Sequence, residues 1–375
     1  MRTTTGAETK TGRAAERDEG RDGALFSLGN QVYRVGDALV AARLAGAYDE
    51  VVEAVRQGTA LDGDPTVGSP SDAEVEAAQV DFRRRRRLLA GDDLLSWLHT
   101  WHVSMTEWTT WVRRSLLRES PRDDDARRTA DTAQPAAQDV WVEAVCSGTI
   151  ERMAEMLAGW VACDDALIER GVHRGGATSQ VVPLPPSDLE RLCSPDADHA
   201  ARALRVAALR DAADTFAATH AAPAAVEHEL DTNAALWMLV ECRYLELASA
   251  GAGREAQLCL RVDGDSIDDV ARRASATVAD RTFLLRDTPP VLAAHLLSTP
   301  PGHVFGAIEL DDSYIVAEIE RRRLGTDDAD IRRLAAAELV ETATRAAVAE
   351  RIMWADELAH LSERGSRGDG IRRTA

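Results

Sequence analysis

The chain has 375 residues and a formal net charge of −19 at pH 7, with a sequence pI near 4.9. This length exceeds what one ordinary hydrophobic core holds, so we expect two or three domains. Nucleic acids and anionic membranes bind positively charged surfaces, and the acidic balance therefore excludes both as main partners. No run of about 18 apolar residues occurs, which predicts that no segment spans a membrane.

The ends of the chain and its cysteines bear on its location. Residues 1–23 are polar and lack the apolar region of a secretion signal. The five cysteines are scattered and show no C-x-x-C spacing, which is typical of a reduced, cytoplasmic protein with free thiols. Residues 1–23 and 119–139 show no hydrophobic periodicity and predict a disordered tail and a disordered linker, with a second disordered tail at 365–375.

Helical periodicity dominates the chain before residue 237. Apolar residues recur at spacings of three and four over 31–55 and 72–117, which predicts an N-terminal helical domain at 24–118. The same spacing predicts a second helical block at 140–236. A run of arginines at 83–87 has acidic neighbours in a helical pattern, so we interpret it as a solvated helix face or a local acidic contact.

A tryptophan-rich stretch, SWLHTWHVSMTEWTTW at residues 96–111, predicts a corner between two helices. Ser104 and Glu107 fit a capping box, so a helix should begin just after Ser104. Val103 and Trp108 occupy the positions of a hydrophobic staple across that cap. Two pairs of tryptophans at spacings of four and three then predict an interhelical core. They are Trp97, Trp101, Trp108 and Trp111.

Metal and cofactor sites are not predicted. His99 and His102 are three residues apart, but no cysteine or further histidine nearby completes a coordination sphere. His220 and His228 could share a helix face only if Pro223 did not break the helix. No P-loop, dinucleotide-binding fingerprint, G-x-S-x-G or H-E-x-x-H motif occurs. We therefore expect no metal and no cofactor.

The pattern changes after Trp237, where MLVECRYLEL is rich in strand-forming residues. Ser266 and Asp269 predict the cap of a short helix, RTFLLR predicts a strand, and Pro289-Pro290 begins the helix VLAAHLLS. VFGAIELDDSYIVAEIERRR contains two strand-like runs around Asp311-Asp312, which predicts an antiparallel hairpin. The predicted order is strand, two helices, strand, helix, strand, strand, followed by a long helix at 323–364.

This order and the phrase STPPGHVFGAIELDDSYIVAEIERR resemble the parvulin type of peptidyl-prolyl isomerase over residues 237–321. That family has a Pro-Gly turn after a helix, then strands with the phrases G-x-V-x-G-P-I and G-Y-H-I-I-K-V. The matching residues are Gly302, Val304, Gly306, Ile308, Tyr314 and Val316. With the flanking helices, the whole resembles SurA-type foldases and their cytosolic relatives. The implied fold class is α+β and mostly helical, with chaperone-like helical blocks around a small parvulin-like antiparallel sheet domain at 237–322.

The departures from the family concern its two core histidines, whose positions fall at Tyr244 and Ile315. The Gly-Gly-rich segment that follows the central helices in the family is also missing. We therefore expect a peptide-binding chaperone with weak or no prolyl isomerase activity. Its groove residues are predicted on an open sheet face that helices cover only from the other side. They are Tyr244, Phe283, Leu297, Phe305 and Tyr314.

Two alternatives stay open. An active isomerase would use the Tyr244 hydroxyl in place of a histidine, with Phe283, Leu297 and Phe305 forming the proline pocket. The other alternative is a partner that delivers a precursor peptide to a peptide-modifying enzyme. In each case the expected ligand is an unfolded or precursor polypeptide.

Overall fold

The computed structural model describes residues 23–119, 135–172, 197–310 and 312–361. Its described residues form thirteen α-helices and two small antiparallel sheets, which confirms the predicted α+β, mostly helical fold. They divide into two compact units. Unit 1 takes the described residues of Met1–Phe216 and Ala343–Ala375, and unit 2 is Ala217–Thr342. The predicted tails and most of the predicted linker lie outside the described residues.

Unit 1 begins with a strand pair and continues with helices. Its elements are β1 (Ala24–Leu28), β2 (Gln31–Arg34), α1 (Val35–Ala45), α2 (Ala47–Gly63), α3 (Asp72–Arg85), α4 (Gly91–Thr100), α5 (Met105–Glu119), α6 (Ala137–Cys146), α7 (Thr149–Glu169) and α8 (Ala197–His220). The last four residues of α8 belong to unit 2. Residues 137–139 were predicted to lie in the disordered linker, and they instead form the first turn of α6.

A three-stranded sheet in unit 1 corrects two predictions. Residues 31–34 were predicted as helix, but they form β2, which pairs with β1 across Gly29-Asn30. The long C-terminal helix was predicted to run to residue 364, but it ends at Arg351 and is followed by β7 (Met353–Trp354). β7 pairs with β1, where Phe26 lies opposite Trp354. The Phe26 ring packs against Tyr33 of β2 and Trp354 of β7, and these cross-strand contacts stabilise the strand conformation of both segments over the predicted helical one.

One hydrophobic core fills unit 1, and it joins residues from both predicted helical blocks. Phe82 and Trp108 of the first block share this core with Trp141, Met153 and Phe216 of the second. The structure therefore differs from the predicted division into domains at 24–118 and 140–236. Residues 217–236 also belong to unit 2 and not to the second helical block.

The tryptophan-rich stretch forms the predicted corner between α4 and α5. The Ser104 amide donates to Glu107 at 2.7 Å, and the Glu107 amide donates to the Ser104 hydroxyl at 3.2 Å, which confirms the capping box. Trp101 and Trp108 are buried, and the rings of Trp97, Trp108 and Trp111 each lie 5.5 to 5.6 Å from the Phe82 ring. The prediction of an interhelical core is confirmed.

The arginine run at 83–87 has both of the predicted environments. Arg84 lies on a solvated face beside Asp81. Arg86 is largely buried, binds Glu151 at 2.5 Å and donates to the carbonyl of Val145 at 2.9 Å. Its guanidinium also lies 4.8 Å from the Trp97 ring centroid. Arg86 is therefore a structural cation that links α3 to the start of α7.

Unit 2 contains a four-stranded antiparallel sheet and the helices around it. Its elements are α9 (Pro223–Thr232), β3 (Leu239–Leu247), α10 (Ala250–Leu258), a π-helical turn (Cys259–Asp263), α11 (Ile267–Ala274), β4 (Val278–Leu284), α12 (Pro290–Ser298), β5 (Val304–Leu310), β6 (Ser313–Arg323) and α13 (Ala329–Arg351). α13 continues into unit 1 from Ala343. Pro223 begins α9 and ends the preceding helix, so His220 and His228 lie on separate helices, as predicted.

The predicted order of strands and helices in unit 2 is confirmed. The Ser266 hydroxyl accepts the Asp269 amide at 3.2 Å and caps α11, while Pro290 begins α12. β5 and β6 form the predicted hairpin, with Leu310 opposite Ser313. The strand order in the sheet is β4-β3-β6-β5, so β4 and β5 are the edge strands.

Two further findings concern membrane-spanning helices and cysteines. Among the described residues, no helix combines the length and the hydrophobicity needed to cross a membrane. The four described cysteines are free thiols, and Cys146, Cys163 and Cys242 are buried. Cys193 lies outside the described residues.

Candidate functional site

Helices pack against both faces of the four-stranded sheet in unit 2. On one face, Leu292 and Leu296 of α12 pack against a hydrophobic cluster that contains Phe305 of β5. On the other face, α10 and α11 contribute Ala256 and Ile267 to a second cluster. The prediction of one open face, covered by helices only from behind, is therefore wrong.

The strand register separates the five predicted groove residues. Tyr244 lies opposite Ala317, and Phe305 lies opposite the same Ala317, so the two rings project from one face. Phe283 joins them in the cluster beneath α12. Tyr314 belongs to the cluster on the other face, because it lies three positions before Ala317 along β6 and side chains alternate between the faces. Leu297 is exposed on α12. The structure thus brings three of the five together and leaves two apart.

A cleft of about 540 Å³ lies along the free edge of β5. The strand itself contributes Val304, Phe305 and Gly306 at the cleft floor. Other residues come from both sides of the sheet and from the turn that precedes the strand. They are Gln257, Leu260, Arg261, His295, Ser298, Thr299, Pro300, Gly302 and His303. Phe305 is the only one of the five predicted groove residues that lines this cleft.

Two exposed histidines, which sequence reasoning did not single out, lie at the cleft. The His295 ring stacks on the Phe305 ring with a centroid distance of 5.8 Å and an interplanar angle of 16°. The His303 Nδ1 atom lies 3.2 Å from the Pro301 carbonyl oxygen. Since a carbonyl only accepts, Nδ1 carries the hydrogen and Nε2 is left for a ligand. The sequence signal for both is their position around the Pro-Pro-Gly turn at 300–302, whereas the family resemblance places its histidines at positions 244 and 315.

Arg322 fixes the side of the cleft that α12 forms. Its guanidinium donates to the carbonyls of Leu296 at 2.7 Å and Leu297 at 2.8 Å, and also to the carbonyl of Thr299. These carbonyls lie at the C-terminal end of α12, where unpaired acceptors carry partial negative charge. Arg322 therefore satisfies the helix end and removes negative potential from this side of the cleft.

The groups around the cleft favour binding over covalent chemistry. Tyr244 does not line the cleft, so its hydroxyl is not placed to replace a histidine there. The nearby thiol of Cys242 is buried on β3, and burial raises its pKa to about 12. A thiol of that pKa remains protonated at neutral pH and is a poor nucleophile. The exposed side chains that line the cleft include Arg261 and the imidazole rings of His295 and His303.

Among the described residues, one group of three side chains approaches the arrangement of a metal site. Cys259, Asp263 and Asp265 place one ligand atom each within 4.8 Å of one another. Asp265 already forms an ion pair with Arg273, and a structural zinc site requires four ligands. His99 and His102 are exposed, and within the described ranges they belong to no group of this kind. We assign no metal to either place.

A second cavity, of about 150 Å³, lies in unit 1 between α2, α5 and α6. Its wall includes the buried carboxylate of Glu143. Arg118 donates to both oxygens of Glu143 at 2.9 and 3.0 Å, and the Trp111 Nε1 donates at 3.0 Å. Arg118 also donates to the Ala54 carbonyl at 2.8 Å. These groups satisfy one another, so the arrangement is structural and leaves little polar capacity for a ligand.

Comparison of the chain with protein-family models, with curated proteins and with solved structures gave no match.

Proposed function

We propose that the chain is a peptide-binding chaperone with a parvulin-like domain and weak or no prolyl isomerase activity. The observation that carries this proposal is the cleft along the free edge of β5. An edge strand presents unpaired backbone amides and carbonyls, which an extended peptide can satisfy by adding a strand. Phe305 lines the cleft from below, where it is 4% exposed and supports the His295 ring that stacks on it.

Apolar side chains around the cleft support an unfolded polypeptide as the ligand. Leu258 and Val262 are neighbours of lining residues on the π-helical side, and they are 60% and 73% exposed. Val291, one turn before His295 on α12, is 62% exposed. Scattered exposed apolar residues are ordinary, but several beside one cleft are typical of a surface that binds apolar segments. The free thiols are consistent with a reducing compartment, and we place the protein in the cytoplasm.

The test uses a substitution that fills the cleft without disturbing the sheet. Ser298 is exposed and lines the cleft, so Ser298→Trp should lower affinity for an extended proline-containing peptide by roughly tenfold or more. Ala274→Trp, at an exposed position at the end of α11, is the matched control. Isothermal calorimetry should give a negative heat-capacity change for the wild type, because apolar surface is buried. Equal affinity in all three proteins would contradict the proposal.

An active isomerase is the second candidate, and the stacking of His295 on Phe305 favours it. An imidazole beside an aromatic floor could stabilise the twisted amide of a bound prolyl bond more than its planar forms. A protease-coupled assay distinguishes the two candidates. Turnover within an order of magnitude of an authentic parvulin, lost in His295→Ala and kept in His303→Ala, would favour the isomerase. Peptide binding without turnover would favour the chaperone.

A further inference from the structure

The cleft along β5 differs in charge from the protein around it. The chain carries 63 acidic residues and a net charge of −19, yet none of the cleft-lining residues is a carboxylate. The one lining residue with a permanent charge is Arg261, a cation, and the imidazole rings of His295 and His303 also line the cleft. All three are exposed to solvent. The cleft is therefore a local basic site in a strongly acidic protein.

Arg261 is free to bind a ligand. It makes no hydrogen bond and no ion pair with another residue in the described part of the chain. The carboxylates nearest to it in sequence are directed elsewhere: those of Asp263 and Asp265 gather beside Cys259, and Asp265 is bound to Arg273. Many other arginines in the described ranges are already paired with acidic partners, as Arg273, Arg321 and Arg351 are. Arg261 thus has unused donor capacity beside the cleft.

Arg322, beside the cleft, also bears on the charge of a ligand. The Nε2 atom of His303 is an acceptor when Nδ1 donates to the Pro301 carbonyl, so this ring can accept from a peptide amide and takes no part in binding a carboxylate. Arg322 occupies the carbonyls at the end of α12 and so removes the partial negative charge that would repel an anion.

We infer that the cleft selects acidic extended peptides, with Arg261 as the residue that pairs with a peptide carboxylate. This inference rests on the proposed function and specifies its ligand. At 0.15 M salt the screening length is about 8 Å, so the charges of the cleft outweigh those of distant surfaces. At 0.01 M salt the length rises to about 30 Å, and the net negative charge of the whole chain then attracts basic peptides over longer distances. The preference for acidic peptides should therefore be larger at 0.15 M salt.

The experiment compares three peptides that differ only in charge. Each is a twelve-residue peptide of alternating valine and a polar residue with one central proline, and the polar residue is glutamate, glutamine or lysine. Calorimetry on the wild type at 0.15 M salt should give the glutamate peptide an affinity about twofold to fivefold above that of the glutamine peptide, as expected for an exposed ion pair. The lysine peptide should bind more weakly than both.

Arg261→Gln should abolish the difference in affinity between the glutamate and glutamine peptides. Arg254→Gln is the matched control, since Arg254 is an exposed arginine of α10 that does not line the cleft. Equal binding of all three peptides by the wild type, or an unchanged glutamate preference in Arg261→Gln, would overturn this inference and leave the proposed function standing. Failure of every peptide to bind would overturn both.

Discussion

The buried ion pair between Arg118 and Glu143 allows a prediction that can be worked out from contacts. The Glu143 side chain is 8% exposed and accepts hydrogen bonds from three donors, two on Arg118 and one on Trp111. Glu143→Leu removes the charge and keeps an apolar side chain of comparable size. The Arg118 guanidinium, itself 18% exposed, then retains only its bond to the Ala54 carbonyl.

This single substitution should lower the free energy of unfolding by about 3 to 5 kcal/mol, because it leaves the Arg118 charge without a partner in a poorly solvated position. The double variant Glu143→Leu with Arg118→Met removes both charges. It should cost only about 1 to 2 kcal/mol, chiefly because the Trp111 Nε1 loses its acceptor. The two substitutions should therefore couple by about 2 kcal/mol or more, with the double variant more stable than the single one.

Urea unfolding followed by tryptophan fluorescence measures these differences as shifts of the midpoint in the transition of unit 1. The control is the ion pair of Arg84 and Asp81, whose side chains are 73% and 63% exposed. Asp81→Ala should cost less than about 1 kcal/mol, since solvent screens an exposed pair. A double variant as unstable as Glu143→Leu alone would refute the reasoning, because the cost would then come from lost packing and not from an unpaired charge.

Three further predictions test the core, a close approach and a buried thiol. Trp101→Ala should lower the free energy of unfolding by about 3 to 5 kcal/mol and leave peptide affinity unchanged, since the Trp101 ring is buried with its centroid 6.3 Å from that of Trp141. A variant that loses peptide affinity at unchanged stability would contradict this core role. Gly253→Ala should lower the free energy of unfolding by about 1 to 3 kcal/mol, because a Cβ there would lie 2.5 Å from the Ala307 Cβ. A Cβ at Gly251 in the same helix would meet only the Ser249 Oγ at 3.9 Å, an ordinary contact, so Gly251→Ala should stabilise slightly, and thermal unfolding measures both changes. The raised pKa of Cys242 means that the unfolded state loses its thiol proton at a lower pH than the folded state, so stability should fall as pH rises from about 9 to 12. Cys242→Ala should lose less stability over this pH range, and an equal loss in both proteins would exclude the Cys242 thiol as the cause.

Local signals in the sequence predicted most elements of the fold. The capping boxes at Ser104 and the cap at Ser266 marked helix starts, because the hydroxyl and the amide that it binds lie within one turn. The hairpin of β5 and β6 was similarly predictable from two strand-like runs around a short polar turn. The hairpin of β1 and β2 was missed although Gly29-Asn30 between two short apolar runs is the same kind of signal.

Local sequence signals do not predict pairings between segments that are far apart in the chain. β7 has only two residues, and its strand conformation depends on pairing with β1, more than 320 residues earlier in the chain. The single core of unit 1 was missed for a related reason. The predicted linker suggested separate domains, but Trp141 donates its Nε1 hydrogen to the Trp101 carbonyl at 2.8 Å across that gap. No periodicity within either helix reports such a contact.

The candidate site shows how strand register and helix coverage together decide which residues a ligand can reach. The register of β3, β6 and β5 puts Tyr244 and Phe305 on one face, and their accessibility depends on where α12 packs. Because α12 covers that face and α10 covers the other, the sheet is left uncovered along its edge strands, and the cleft that includes Gly302 lies along one of them, β5. The charge of the site likewise depends on which side chains lie close to a ligand. A net charge counts every side chain, whereas a bound peptide interacts mainly with groups within a screening length, so a chain of charge −19 can still present a site that favours carboxylates.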